Sequence, residues 1–343
     1  MSQIKNAKRL CVFLLQLGGP DNYTQIKPFL QNLFDDILPG PKFFKTKLAS
    51  FIAAYRTPKV IPLYQAIGGG SPIGANTMAQ ALALEKHLKL LGFDARVLVT
   101  MRYSEPRASV ALQEARKYWS DATWVVLPLY PHYAFATTRS SINELISQLA
   151  TQELNRLKII KAYPTINGFI NSVTDNILKT LANIPNRLKD TTALIFSAHG
   201  IPLSYVRRGD PYPRQIKQSI KAISDKLSLP NPIYLCFQSR VGPVSWLKPS
   251  TRETIITLGK HGITSVLVIP ISFVSEHLET LYELDIELQN LATDVGIKNF
   301  YRSPTPATHP NFIAALVELV SSVTKKISSA VHYQINVKAL GTS

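Results

Sequence analysis

Two short stretches of the chain carry side chains suited to moving protons and metal ions. In the first, the apolar run Ala193-Leu194-Ile195-Phe196 stops at Ser197-Ala198-His199, and turn residues follow at Gly200 and Pro202. A continuously apolar run of this length predicts a strand buried on both faces. His199 then stands at the carboxyl end of a strand, the edge at which open α/β sheets bind ligands. An imidazole there titrates near neutrality and can act as a base or ligate a metal. The same residue also fits a loop histidine hydrogen-bonded to a neighbouring carbonyl. The second stretch, Ile269 to Glu287, begins as another buried strand and turns through Pro270 to Ser275. It then enters a helix bearing Glu276, His277, Glu279, Glu283, Asp285 and Glu287. Glu279, Glu283 and Glu287 recur every fourth residue and share one helix face. Like charges so spaced repel by about 0.2–0.5 kcal/mol per pair. The stripe reads either as a solvated face or as a hydrated path for cations or protons ending at the mouth of the sheet. If the two strands are neighbours, His199 and Glu279 face each other across one cleft.

Strands and helices alternate along the whole chain, and these elements must position the two stretches. The run Leu10 to Leu15 predicts a first strand, and Ile26, Phe29, Leu30, Leu33, Phe34 and Ile37 repeat at helical spacing. Strands at Ala95–Thr100, Thr123–Leu129 and Leu157–Ile160 follow, with helices from about Pro106 and over 140–154. The second half repeats the cadence: helix 167–181, strand to Ser197, helix 213–227, strand 233–237, helix 250–261 and strand 265–269. A helix from about His277, a strand near 298–301 and a helix after Pro310 close it. Valine- and isoleucine-rich strands alternating with helices predict an α/β protein of two doubly wound domains with parallel sheets covered on both faces. The expected division is 1–165, 166–310 and a last helix over 311–328 that packs back on the first domain.

Composition narrows the function classes. The 343 residues are 45% hydrophobic and 17% charged, the balance of a globular protein able to bury large cores without staples. Cys11 and Cys236, the two cysteines, each lie inside an apolar run and read as packing residues, which fits a reducing, cytoplasmic setting. Lys5, Lys8 and Arg9 before Leu10 to Leu15 imitate a secretory signal, but no small-residue cleavage site follows. The longest apolar stretch, Ile263 to Val274, is interrupted by Pro270 and falls short of the roughly 20 residues of a membrane span. A net charge of +16 favours anionic partners: nucleic acid, acidic headgroups or a polyanionic small molecule. Zinc-finger spacing, RNA-recognition aromatics and long basic runs are absent, so no nucleic-acid partner is expected.

Two further stretches bear on binding. Gly18-Gly19-Pro20 lacks the dinucleotide pattern, and its proline removes a phosphate donor. Gly68-Gly69-Gly70-Ser71-Pro72 reads as a flexible hinge, or as a loop whose amides and Ser71 hydroxyl meet an anion. From Lys42 to Lys59, Phe43, Phe44, Leu48, Phe51 and Ile52 are interleaved with Lys42, Lys45, Lys47, Arg56 and Lys59. A basic, aromatic amphipathic helix suits a membrane-surface contact or a lip over an apolar ligand, and core packing with solvated lysines fits equally.

Several ordered blocks resemble the ferrochelatase family. Ser197-Ala198-His199-Gly200-Ile201-Pro202 with Arg208-Gly209-Asp210-Pro211-Tyr212-Pro213 is similar to the family signature. Gln238-Ser239-Arg240-Val241-Gly242-Pro243 with Trp246-Leu247 and Pro249 resembles the next block, and Ser275-Glu276-His277-Leu278-Glu279-Thr280-Leu281-Tyr282-Glu283 the third. Leu17-Gly18-Gly19-Pro20, Arg56-Thr57-Pro58-Lys59, Tyr64, Ile67 to Ile73, Met101-Arg102-Tyr103 and Tyr130-Pro131 match in order, so the resemblance spans about residues 10 to 325.

The resemblance implies two Rossmann-like domains with porphyrin in the cleft between them. The implied reaction inserts Fe2+ into protoporphyrin IX with release of two protons, the last step of heme biosynthesis. His199 is then the iron ligand or the base for pyrrole protons, Glu279 its acidic counterpart, and His277 a residue that assists or orients Glu279. Arg56, Tyr64 and Ser71 match positions near the porphyrin propionates, while Arg102, Trp246 and Phe273 match cleft-lining positions; Glu283 and Glu287 continue the proton or metal path. Iron is a substrate and no permanently bound cofactor is implied. Some relatives hold an iron–sulfur cluster on four cysteines, mostly in a carboxyl-terminal extension; with two cysteines and no such extension, no cluster is expected here. Leu17 stands where some relatives acting on coproporphyrin have tyrosine, which favours protoporphyrin. His132 and Arg139 depart from the usual version of their block. The residues leave open a chelatase for another metal or tetrapyrrole, such as cobalt in the corrin branch, and a non-catalytic tetrapyrrole or iron carrier.

Overall fold

A computed structural model describes residues 8–240, 242 and 244–324. The strands are β1 (Arg9–Gln16), β2 (Asp94–Met101), β3 (Thr123–Pro128), β4 (Leu157–Ile159), β5 (Ala193–His199), β6 (Ile233–Gln238), β7 (Ser265–Ile269) and β8 (Asn299–Arg302). They form two four-stranded sheets, ordered β2-β1-β3-β4 and β6-β5-β7-β8. Every neighbouring pair is parallel. The apolar runs of the sequence follow from this placement, because the central strands are covered on both faces. In β1, Leu10, Val12 and Leu14 point into one core while Cys11, Phe13 and Leu15 point into another. In β5, Leu194, Phe196 and Ala198 face one side, and Ala193 and Ile195 the other. Leu194, Ile195 and Phe196 are completely buried, and each such side chain contributes about 1.5–3 kcal/mol. Both cysteines are free and buried, and loss of solvent pushes their thiols up, Cys11 to about 12 and Cys236 to about 11.

Several elements differ from the sequence expectation. The helix expected over 140–154 breaks into Ser140–Ile146 and Thr151–Leu154; Glu153 caps the second piece by accepting from the Ala150 amide at 2.8 Å. A long helix, Ile73–Leu90, occupies a stretch to which the apolar pattern assigned nothing. Its inward face mixes Ile73, Ala81, Leu84 and Leu88 with buried Thr77 and Gln80, which blurs the hydrophobic period. Gln80 is accommodated because its amide donates to the carbonyls of Val274 and Ala307, both at 2.9 Å, and accepts from Ser275 Oγ at 3.2 Å. The acidic segment Glu279–Leu288 is a π-helix that runs directly into the α-helix Gln289–Asp294. Such wide turns are costly and recur at functional sites.

The closing helix Pro310–Thr324 places Phe312, Leu316 and Val320 in the same core as Leu84 and Leu88 of the first half and Ile170 and Ile177 of helix Asn167–Ala182. Residues 325–328 of the expected last helix lie outside the described residues. The glycine loop is not a hinge. A side chain on Gly70 would put its Cβ 2.1 Å from the Asp21 carbonyl oxygen, and the Ser71 amide donates to Pro20 O at 2.7 Å. The loop is therefore packed against the turn after β1. Among the described residues no helix is long and apolar enough to cross a membrane.

Candidate active site

In each sheet the first strand of the half is central, with the second on one side and the third on the other, so the chain reverses direction of travel between β5 and β7. This is the switch point at which the loops diverge and a crevice opens. His199 ends β5, and the segment after β7 returns alongside it: Ile271 N donates to Ser197 O, and the His199 amide donates to Ser272 Oγ at 2.9 Å. Gly200 is required at this bend, because a Cβ there would lie 2.8 Å from Gln238 O and 3.4 Å from the Trp246 ring. The two stretches singled out in the sequence thus meet, and His199 Nδ1 lies 3.0 Å from Glu279 Oε2.

That contact sets the protonation pattern. An imidazole that gives its Nδ1 proton to a carboxylate keeps a lone pair on Nε2, and among the described residues nothing is hydrogen-bonded to His199 Nε2. About a third of the His199 side chain is exposed. Burial disfavours its charged form, but the charge and hydrogen bond of Glu279 outweigh that, and the His199 pKa is raised. Burial works against the Glu279 charge in turn, and His199 together with His277 overcomes it, holding that carboxyl well below the usual range. His277 donates from Nδ1 to Ser275 O at 3.1 Å, which turns Nε2 toward Glu279 Oε2 at 3.6 Å. Phe273 lies between the two imidazoles, its ring centroid 6.2 Å from His199 and 4.6 Å from His277.

Glu283 lies one step further along the π-helix. It accepts from Ser239 Oγ at 2.6 Å and from Gln238 Nε2 at 3.4 Å, yet burial and the negative charge of Glu279 push it up to about 7. Ser239 adopts a left-handed backbone, φ 58°, uncommon for a residue with a side chain. Gln238 ties the site together: it accepts from Ser197 Oγ and donates to Glu279 O. Glu287 is exposed, so the three glutamates run from solvent to the interior. The other acids of this helix are engaged elsewhere, since Arg302 pairs with Asp285 at 2.8 Å and with Glu276 at 3.1 Å.

The remaining expected residues distribute unevenly. Tyr64, near the end of helix Lys42–Ala66, is buried; loss of solvent and then the nearby Glu279 charge raise its pKa. Trp246 bridges to Pro202, and its indole N–H is buried without a partner. Arg56 is exposed and makes no ion pair among the described residues, whereas Arg102 is held by Asp36 at 2.7 Å, Ser140 Oγ at 2.9 Å and Glu144 at 3.5 Å. Ser71 is buried, with its amide already bonded inside the protein. On helix Lys42–Ala66 the core takes Ala49, Ala53 and Val60, while Phe43, Phe44 and Phe51 are 64%, 69% and 71% exposed, so core packing does not account for these aromatics. Of the two departures, Arg139 covers the Phe135 ring at 3.9 Å and His132 is buried. Sequence reasoning did not single out Gln238, Ser239, Ser272 or Tyr212 as site residues. Their positions at the end of β6 and at the edges of the signature blocks were the available signal.

Two parallel doubly wound sheets in this order make up the fold of solved chelatase structures. The structure of SirB from Bacillus subtilis with Fe3+ superposes on 92% of this chain and 95% of its own, with a TM-score of 0.56 at 15% identity. The cobalt complex of the sirohydrochlorin chelatase SirB gives a TM-score of 0.51 over the same shares. The ferrochelatase family model matches residues 9–324, and the chain belongs to the ferrochelatase family. It is 43% identical to the ferrochelatase of Picosynechococcus sp. over 91% of this chain and 82% of that one. It is 41% identical to ferrochelatase-1, chloroplastic/mitochondrial, of Arabidopsis thaliana, over 93% and 70%.

Proposed function

We propose that this protein inserts Fe2+ into protoporphyrin IX, releasing two protons, as the last step of heme synthesis. The observation that carries the reading is the 3.0 Å His199–Glu279 contact, which leaves the His199 Nε2 lone pair unclaimed at the mouth of the sheet. Insertion breaks two pyrrole N–H bonds and forms bonds from the ring nitrogens to iron, with no change of oxidation state. His199 Nε2 takes the two pyrrole protons in turn, the first passing on before the second arrives, and the carboxylate of Glu279 stabilises the imidazolium that forms each time. Glu283, poised near neutrality, accepts a proton from this pair and passes it toward the exposed Glu287; the same carboxylates suit a partly dehydrated Fe2+ travelling inward. The alternative role of His199 and Glu279 is as transient iron ligands, with Nε2 bound to the metal in place of the proton, since imidazole and carboxylate both suit a divalent iron.

The exposed guanidinium of Arg56 is the propionate partner of choice, while Tyr64 and Ser71, both buried, support the wall behind it rather than meeting a propionate directly. Phe273, Trp246 and the clamped Arg102 form the wall. Division of the chain at residues 165 and 310 belongs to the same proposal, supported by one parallel sheet in each half and by the closing helix packed on Leu84 and Leu88. The exposed Phe43, Phe44 and Phe51, interleaved with lysines, support peripheral contact of this lip with a membrane surface.

The test is anaerobic turnover of purified protein with protoporphyrin and ferrous iron, followed by loss of porphyrin fluorescence. Wild type should turn over and His199→Ala should fall by 10²-fold or more, about the size of a lost general base, while still binding porphyrin. Undiminished insertion by His199→Ala would refute the assignment. Binding without turnover by the wild type would show a carrier.

A further inference from the structure

Behind His199, a segment of the first half is bonded to one helix of the second. His132 Nε2 lies 2.8 Å from Ser219 Oγ, the Tyr133 amide donates to Gln215 Oε1 at 2.7 Å, and the Phe135 amide donates to Asp210 Oδ2 at 2.7 Å. Gln215 and Ser219 belong to helix Tyr212–Leu227, and Asp210 caps its entry by accepting from the Tyr212 amide at 3.0 Å. The Ser219 hydroxyl gives its proton to Pro164 O at 2.6 Å, so toward His132 its oxygen can only accept. His132 is therefore protonated on Nε2, and its buried Nδ1 has no partner. The ring of this neutral imidazole meets Tyr212 edge-on, centroids 6.0 Å apart at 85°.

Tyr212 is held at its ring by His132 and at its amide by Asp210, and is itself buried. Its hydroxyl donates to the carbonyl oxygen of His199 at 2.9 Å. His199 is the last residue of β5; it stays in register with Gln238 of β6, but ladder bonding to β7, the side its own amide and carbonyl face, has already ended. Its amide is taken by Ser272 Oγ and its carbonyl by Tyr212, so both backbone groups are clamped by side chains rather than by the sheet. A general base gains from being held in place, since a displacement of about 1 Å costs on the order of 100-fold in rate.

We infer that Tyr212 is a positioning residue for metal insertion: it acts through His199, whose backbone it holds so that the imbalance of forces on substrate entry does not move the imidazole off Glu279. The inference rests on the reading of His199 as the reacting base. Tyr212 touches neither porphyrin nor iron in this role, so its loss should appear in kcat and not in KM.

The test is Tyr212→Phe, which keeps the buried ring and removes the hydroxyl. Its control is Tyr163→Phe, which deletes an equivalent buried bond, from Tyr163 to Pro128 O at 3.1 Å. Tyr212→Phe should lower kcat on the order of 10-fold with KM for both substrates unchanged, and Tyr163→Phe should keep the wild-type kcat. Ser272→Ala, which releases the other clamp, should repeat the split, and it decides the matter should Tyr212→Phe fail to fold. Wild-type kcat in Tyr212→Phe, an equal fall in both tyrosine variants, or a change confined to KM overturns the inference. His199→Ala is assayed alongside: full activity there would remove the underlying reading too, whereas an inactive His199→Ala with fully active Tyr212→Phe and Ser272→Ala would overturn the positioning role alone.

Discussion

Glu283 makes the stability of this protein depend on pH in a direction opposite to that of most carboxylates. Its carboxyl is pushed up to about 7 by burial and by the charge of Glu279, against an unfolded value near 4.3. Between those values the folded state holds a proton that the unfolded state has released. Stability supplied by this group is therefore full below about pH 4 and is lost as pH rises through about 7. A rise of this size corresponds to roughly 3–4 kcal/mol. Glu283→Gln keeps the shape, accepts from Ser239 in place of the carboxyl and has no charge to bury. Near pH 4.5 the variant should match the wild type, and by pH 8 it should be more stable by roughly 2–3 kcal/mol, the loss of the charged Ser239 bond taking back part of the gain. Urea unfolding of both proteins from pH 4.5 to 8.5, without iron or porphyrin, reads the difference directly. A difference that stays constant across this range, or a variant no more stable than wild type at pH 8, would refute the argument that burial and Glu279 hold a proton on Glu283.

Other outcomes follow from the same geometry. The His199 pKa is raised by Glu279, and the base must be unprotonated, so the wild-type rate should fall as pH drops through a value above the ordinary histidine range of about 6.5. In Glu279→Gln the surviving activity should show that acid limb at lower pH, measured as kcat/KM against pH; a limb that stays in place would separate it from His199. Arg56→Ala should raise KM for porphyrin about 10-fold and spare kcat, because an exposed, unpaired guanidinium contributes binding and not fold. Arg102→Ala should instead lower stability by about 1–2 kcal/mol in denaturation, since it removes the charged partner of a partly exposed Asp36 that keeps hydrogen bonds from Tyr103 and Ser140.

Much of the fold was legible because its physical cause is local. The apolar runs of β1, β5 and β7 appear in the sequence as strands buried on two faces, and that is where they lie. Helix Ile73–Leu90 was invisible for an equally physical reason: Thr77 and Gln80 interrupt its apolar face, and only partners some 200 residues away make burial of Gln80 tolerable. The exposed aromatics of helix Lys42–Ala66 were ambiguous because periodicity reports which residues share a face, not what covers it.

For the candidate site, residue types and spacing singled out His199, Glu279 and Glu283, because a histidine after a buried strand and a carboxylate stripe are patterns within one element, while the role of His277 came only through the family resemblance. The sequence by itself also determined the alternation of strands and helices and, through its ordered blocks, the family. Tertiary structure decided what lies between elements. It showed that β5 and β7 are neighbours, so that a histidine and a glutamate 80 positions apart share a proton. It sealed Ser71 and compensated Arg102 while leaving Arg56 free, and it brought Tyr212 and Ser272 onto the backbone of His199. Protonation depends on burial and on the nearest charge, and both are properties of the packed chain that no spacing along the sequence contains.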